Sequence, residues 1–159
     1  MNILFLCTGN SCRSILAEAT FNALAPASMQ AMSAGSHPAG YIHPRSLALL
    51  QRKGIPTKGY YSKSWDSLPH APDIVITVCD NAAGETCPAY LAPAVRAHWG
   101  VADPARATGT EYEIDAAFEL AYNLLRKRIE AFLALPLEQL LNDRTELERR
   151  LAAIHTSTM

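Results

Sequence analysis

Apolar and polar residues alternate along this chain in two distinct patterns. A short unbroken apolar run at residues 3–6 and the segment DIVITV at 73–78 are typical of strands buried in a parallel sheet. Runs at 29–34 and 95–99 are less apolar but have a similar length. The segments between these runs carry apolar residues at three- and four-residue spacing, which predicts helices. The pattern therefore predicts four strands that alternate with helices.

The predicted helices cover residues 14–24, 44–53 and 114–135, with one helical turn at 65–68. A last helix is expected after Asp143, because Asp143 and Glu146 have the spacing of a capping box. The long helix should bury one face, formed by Ala117, Leu120, Ala121, Leu124, Leu125, Ile129 and Phe132.

This order of elements indicates an α/β fold, a three-layer sandwich around a four-stranded, mostly parallel sheet. Ligands of such sheets bind at the carboxyl ends of the strands. Cys7 and Cys79 each follow directly after a predicted strand. We therefore expect the two thiols to share one edge of the sheet.

The amino-acid composition argues against several classes of binding partner. The chain has 159 residues, of which 49% are hydrophobic and 18% charged, with a net charge of -1. A balanced charge argues against a nucleic-acid partner, and no basic cluster or long apolar stretch suggests a membrane partner. No signal peptide is recognisable, so we expect a cytoplasmic protein with reduced thiols. The four cysteines (Cys7, Cys12, Cys79 and Cys87) then require a chemical explanation.

The segment CTGNSCR, from Cys7 to Arg13, has the features of an oxyanion site. A turn between a strand and a helix presents unpaired N–H groups at the positive end of the helix. Gly9 and Asn10 tolerate the positive φ angles of such a turn, and Arg13 offers a planar fork of donors. A thiol here should have a lowered pKa and act as a nucleophile. The alternative is a buried cysteine with an unrelated surface arginine. The expected oxyanion-binding residues are Thr8, Gly9, Asn10, Ser11, Cys12, Arg13 and Ser14.

A second cysteine pair lies in CDNAAGETC, where Cys79 and Cys87 flank a polar, glycine-containing stretch. This arrangement favours a redox pair. The alternatives are two inert, buried thiols or a zinc site, but the short cysteine spacing of structural zinc sites is missing. The five histidines also lack metal-ligand spacing, and structural or surface roles are expected for them. No metal centre or cofactor is predicted.

Two motifs resemble those of a known family. CTGNSCRS, at residues 7–14, and HWGVADPA, at 98–105, are similar to low-molecular-weight protein tyrosine phosphatases and to the arsenate reductases built on that scaffold. The resemblance covers residues 1–135, the expected catalytic domain, and leaves 136–159 as a C-terminal helical extension of it. It implies a flavodoxin-like strand order and marks Asp103 as the general acid. It further implies a weak potassium site at Asn10, Glu18 and Ser33; alternatively, Asn10 orders the loop and Glu18 faces solvent.

The Cys79–Cys87 segment resembles that of arsenate reductases that use a thiol cascade. The resemblance implies that Cys7 attacks arsenate, that Cys79 then attacks Cys7 and releases arsenite, and that Cys87 takes over the disulfide. Ala105 and Arg106 stand where phosphatases carry an aromatic residue, which favours a small anion. Arsenate reduction for arsenic detoxification is the preferred interpretation. A phosphatase and a non-catalytic oxyanion-binding or redox-sensing module remain alternatives. The expected reductant is thioredoxin or glutaredoxin with glutathione, and a monomer is expected.

Overall fold

The computed structural model describes residues 1–79, 84, 91 and 93–159, and Cys87 lies outside them. Its core is a four-stranded sheet with the order β2-β1-β3-β4, and every pair of neighbouring strands is parallel. The strands are β1 (Asn2–Leu6), β2 (Gln30–Ala34), β3 (Ile74–Thr77) and β4 (Val95–His98). The α/β class, the parallel sheet and the flavodoxin-like order are thus confirmed.

The register of the sheet brings the expected site residues to one edge. Leu6 pairs with Thr77 and Thr77 pairs with His98, so β1, β3 and β4 end at the same level. Cys7 follows β1 and Cys79 lies just beyond β3. The prediction that the two thiols share one edge is confirmed.

Five α-helices are found in the described ranges, and two 3-10 helices cover Trp65–Ser67 and Pro104–Arg106. The α-helices are α1 (Arg13–Leu24), α2 (Pro44–Arg52), α3 (Glu111–Leu133), α4 (Leu137–Leu140) and α5 (Arg144–Ser157). None of the helices in this part of the chain is both long and apolar enough to cross a bilayer.

Helix α3 differs from its prediction in its start and in its buried face. A capping box between Thr110 and Glu113 begins the helix at Glu111, ahead of the predicted start at 114. Phe118 and Tyr122 are buried, together with Leu125, Ile129 and Phe132 further along the same face. Leu120 was assigned to the core, but its side chain is 69% exposed. Because Phe118 and Tyr122 define the buried stripe, residue 120 falls on the opposite side of the helix.

The sheet separates two hydrophobic clusters. Ile3, Phe5 and Ile76 point to one face, where the buried faces of α1 and α3 join them. Leu4 and Val75 point to the other face and belong to a smaller cluster that Trp65 partly covers. Residues on the two faces alternate because successive side chains of a strand point in opposite directions.

The C-terminal helix α5 packs against β4, the edge strand of the sheet. Leu147, Leu151 and Ile154 are buried, and the indole N–H of Trp99 donates to the Leu151 carbonyl at 3.0 Å. At the start of α5 only half of the predicted capping box forms. The Asp143 carboxylate accepts the N–H of Glu146, while the Glu146 carboxylate binds arginines of the next turn.

Candidate active site

The loop between β1 and α1 is held in shape by Asn10. This residue has a φ of 45°, is fully buried, and donates from Nδ2 to Ser14 Oγ at 2.8 Å and to Ser33 Oγ at 2.9 Å. Its Oδ1 accepts the N–H of Lys63 at 2.8 Å. The sequence predicted that Gly9 and Asn10 both tolerate a positive φ, and Asn10 is the one of the two that adopts it. An asparagine suits this position because its short polar side chain tolerates the left-handed region.

Gly35 allows the loop to lie close to the end of β2. A Cβ atom at this position would come within 2.7 Å of the Cys7 carbonyl oxygen and even closer to that of Thr8. In the sequence, Gly35 stands out only as the residue that follows the predicted strand at 29–34. Its importance comes from this close backbone approach, which a side chain would prevent.

Arg13 and Asp103 meet at the carboxyl edge of the sheet. Arg13 Nη1 donates to the Val101 carbonyl at 2.9 Å, and Nη2 lies 3.6 Å from Asp103 Oδ2. Arg13 Nε is buried and has no acceptor among the described residues. A buried donor without a partner is costly. An oxyanion bound in the loop would supply the missing acceptor, and guanidinium groups favour such anions.

Cys7 and Cys79 form a buried pair beneath this loop. Their thiols are hydrogen-bonded, and Thr8 Oγ1 lies 3.7 Å from Cys79 Sγ. The sequence predicted a lowered pKa for Cys7, but in this arrangement the pKa of Cys7 is raised. The hydrogen bond to Cys79 and burial raise it, and they outweigh the lowering by Arg13 and by the Gly9 N–H. The prediction was wrong because it did not include a second thiol in contact.

The remaining loop residues support the backbone of the site. The Ser11 carbonyl accepts the N–H of His43 at 3.1 Å, which connects the loop to α2. Cys12 stands at the N-cap of α1 and is buried, and burial raises the pKa of its thiol. Ser14 is fully buried next to Asn10.

The predicted potassium-site residues are brought together. Ser33 Oγ donates to Glu18 Oε1 at 2.6 Å, and Asn10 contacts the same hydroxyl. Glu18 is only 6% exposed, so the alternative that it faces solvent is wrong. Burial raises the pKa of Glu18, whereas Ser33 and the positive charge of Lys63 oppose this shift. Lys63, which the sequence left unassigned, thus belongs to this polar cluster.

A cavity of about 740 Å³ opens above the loop. Its wall includes Thr8, Arg13, Cys79 and Asp103, which the sequence predicted, and also His98 and His155, for which it predicted only structural or surface roles. The rings of these two histidines lie 5.6 Å apart in an edge-to-face arrangement. The sequence gives no signal for this pairing because 57 positions separate the two residues. Within the described ranges, no group of three or more His, Cys, Asp or Glu side chains is arranged to hold a metal ion.

Comparisons with known proteins agree with this geometry. Residues 2–147 match the sequence profile described as low molecular weight phosphotyrosine protein phosphatase. An arsenate reductase of Halalkalibacterium halodurans is 37% identical over 131 residues, which cover 82% of this chain and 93% of the relative.

Two solved structures are also similar. An arsenate reductase in the phosphate-binding state superimposes with a TM-score of 0.70 at 24% identity, covering 84% of this chain and 96% of the other. The thioredoxin-dependent arsenate reductase Cg_ArsC1' of Corynebacterium glutamicum has a TM-score of 0.56 at 29% identity, covering 81% of this chain and 61% of the other. By sequence and by fold, the chain belongs to the low molecular weight phosphotyrosine protein phosphatase family.

Proposed function

We propose that this protein is an arsenate reductase that couples attack by Cys7 to the formation of an internal disulfide. The observation that carries the proposal is the contact between Cys7 and Cys79 beneath the oxyanion loop. A phosphatase that hydrolyses its phosphocysteine with water needs no second thiol at this place. The 37% identical relative named arsenate reductase supports the same conclusion.

In the first step, Cys7 attacks the arsenic atom of arsenate. Before the attack, the Cys7 thiol passes the proton that it holds in its hydrogen bond with Cys79 to a non-departing oxygen atom of the arsenate dianion. Arg13 and the loop N–H groups bind the remaining oxygen atoms, and Arg13 Nε gains its missing acceptor. Asp103 gives a proton to the departing oxygen, which leaves as water. The product is an arsenic(V) ester of the Cys7 sulfur.

In the second step, the Cys79 thiolate attacks the Cys7 sulfur. The sulfur–arsenic bond breaks, and its electron pair stays on arsenic, which becomes arsenic(III) and leaves as arsenite. The two sulfur atoms lose these two electrons and form the Cys7–Cys79 disulfide. Cys79 is the hydrogen-bond partner of Cys7, so the attacking sulfur is a neighbour of the sulfur that it attacks.

In the third step, Cys87 attacks Cys79, frees Cys7 and carries the disulfide to Cys79–Cys87. A dithiol protein of the thioredoxin class then reduces this disulfide and restores the thiols of Cys79 and Cys87. The thioredoxin dependence of the Corynebacterium glutamicum enzyme supports thioredoxin over glutaredoxin with glutathione. The cycle needs reduced thiols and therefore fits the cytoplasm, where it would serve arsenic detoxification.

A single-turnover assay tests the proposal. Fully reduced protein is mixed with arsenate without external thiol, and arsenite and free thiols are counted after denaturation. We expect about one arsenite per chain and the loss of two thiols, with the disulfide located by peptide mapping. Cys79→Ser and Cys87→Ser should abolish turnover with thioredoxin, whereas Asp115→Asn, a change outside the active-site cavity, should retain it.

The rival functions give different results in the same experiment. A phosphatase forms no arsenite, hydrolyses p-nitrophenyl phosphate, and tolerates Cys79→Ser and Cys87→Ser. A non-catalytic oxyanion-binding module does neither reaction. If arsenite appears only after glutathione and glutaredoxin are added, the internal cascade is wrong and an external thiol completes the reduction.

We also propose that the polar cluster of Asn10, Ser33 and Glu18 binds potassium only weakly, because the Lys63 charge already acts on Glu18. Melting temperatures in equal concentrations of KCl and NaCl test this, since an ion bound to the folded state raises the melting temperature. A large rise specific to potassium would contradict it. The chain is proposed to be a monomer, which light scattering after size exclusion checks.

A further inference from the structure

The last turn of α5 lies at the mouth of the active-site cavity. His155 faces His98 across this mouth, and both line the cavity together with Arg13 and Asp103. The His98 ring forms a hydrogen bond with Thr77, whose Oγ1 lies 2.8 Å from His98 Nδ1. His155 lies beyond residues 2–147, the part of the chain that matches the family profile. A segment outside the family match therefore forms part of the cavity wall.

A buried arginine of α3 anchors this segment. Arg128 is 1% exposed, and its Nε donates to Thr158 Oγ1 at 2.8 Å. The Thr158 hydroxyl in turn donates to the Ile154 carbonyl at 2.7 Å. The same hydroxyl lies 3.2 Å from the His155 carbonyl, so it is held between Arg128 and the end of α5.

The same guanidinium holds the loop that carries Asp103. Arg128 Nη1 donates to the Gly100 carbonyl at 3.0 Å. The carbonyl oxygen of the next residue, Val101, accepts a hydrogen bond from Arg13 Nη1 at 2.9 Å. The Val101 N–H donates to the Val78 carbonyl at 3.0 Å. Arg128 thus binds the end of α5 on one side and, on the other, the backbone that orients Arg13.

We propose that Thr158 and Arg128 are positioning residues for the oxyanion site. By fixing Arg128, Thr158 sets the position of the Gly100–Val101 carbonyls and, through them, the orientation of Arg13 toward the anion. The strength of a charged hydrogen bond depends strongly on its geometry. A small displacement of Arg13 would therefore weaken the binding of the anion. This inference rests on the proposed function, because it assumes that Arg13 binds the substrate oxyanion.

Thr158→Val tests the proposal, because it removes the hydroxyl at nearly constant volume. Inorganic phosphate serves as the probe, and its dissociation constant is measured by calorimetry on the reduced, full-length protein. We expect phosphate to bind about tenfold more weakly, on the scale of one charged hydrogen bond. Thr158→Ser keeps the oxygen and should bind phosphate as the unchanged protein does.

Thr156→Val is the matched control. Thr156 is an exposed threonine of the same helix, and its hydroxyl donates to the Ala152 carbonyl at 3.1 Å. Thr156→Val also removes a hydrogen bond from a threonine hydroxyl to a helix carbonyl, but it leaves the contacts of Arg128 in place. The affinity for phosphate should therefore stay unchanged. Thermal unfolding of each variant separates a loss of stability from a loss of affinity.

Two results distinguish failure of this inference from failure of the proposed function. If the unchanged protein produces arsenite and binds phosphate, but Thr158→Val binds phosphate as tightly as Thr156→Val, the positioning role is wrong. If the unchanged protein produces no arsenite but Thr158→Val still weakens phosphate binding, the positioning role stands and the proposed reaction is wrong.

Discussion

Thr8 Oγ1 lies 3.7 Å from Cys79 Sγ, although the two residues follow different strands of the sheet. The contact places the second thiol against the loop that begins at Cys7. The hydrogen bond to Cys79 therefore raises the pKa of Cys7 before any substrate binds.

Replacing Cys79 by alanine should lower the pKa of Cys7. The hydrogen bond to Cys79 is the largest cause that raises this pKa, and the lowering by Arg13 and the Gly9 N–H would remain. The rate of Cys7 alkylation by iodoacetamide, followed by mass spectrometry across a pH series, should reach its midpoint at a lower pH. Asp115→Asn, a change outside the active-site cavity, is the control and should leave the midpoint in place. An unchanged midpoint in Cys79→Ala would show that burial alone governs Cys7.

Asp103→Asn should slow arsenite formation without weakening the binding of phosphate. Asparagine can still accept the N–H of Ala105, which Asp103 Oδ1 accepts at 3.0 Å, but it has no proton for the departing oxygen. Loss of general acid catalysis costs about 10²- to 10⁴-fold in rate. Single-turnover kinetics and phosphate calorimetry measure the two effects separately.

Asp115→Asn is the control for this variant, because Asp115 forms its ion pair with Arg45 and does not line the active-site cavity. Its turnover rate should equal that of the unchanged protein. If the Asp103→Asn protein forms arsenite at an undiminished rate, Asp103 is not the general acid.

Leu151→Ala should lower the free energy of unfolding by about 2–5 kcal/mol, because the leucine is fully buried where α5 packs on β4. Leu120→Ala makes the same chemical change at a residue that is 69% exposed, and should change stability by less than about 0.5 kcal/mol. Urea unfolding measures both. A single transition in the unchanged protein would support the interpretation that 136–159 extends one domain, and a separate early transition would contradict it.

Glu18 should make stability depend on pH in a predictable direction. Burial raises the pKa of its carboxyl group above the ordinary value of 4.5, so the folded chain holds this proton more tightly than the unfolded chain. The contribution of Glu18 is fully present below 4.5 and is lost as the pH rises through the folded-state pKa.

Glu18→Gln removes this titration and can still accept the hydrogen bond from Ser33. Its free energy of unfolding, relative to the unchanged protein, should therefore increase as the pH rises from 4.5. Urea unfolding at several pH values measures this difference, and the exposed Glu138→Gln serves as the control. A difference that stays constant with pH would mean that Glu18 ionises normally in the folded chain.

The sequence by itself determined the features that depend on neighbouring residues. An apolar run followed by a turn and an amphipathic helix identified β1, the oxyanion loop and α1, because strand, turn and helix each have a local pattern. The arrangement of Cys7 and Arg13 within one loop was therefore predictable. The shared edge of Cys7 and Cys79 followed from the common direction of parallel strands.

Only the tertiary structure decided the properties that arise from contacts between distant segments. The pKa of Cys7 changed direction because Cys79 lies in contact with it. The pairing of His98 with His155 and the bond from Arg128 to Thr158 depend on how α5 packs against β4 and α3. Ionisation and the orientation of a side chain depend on the whole surroundings of a group, and residues far away in the sequence supply most of those surroundings.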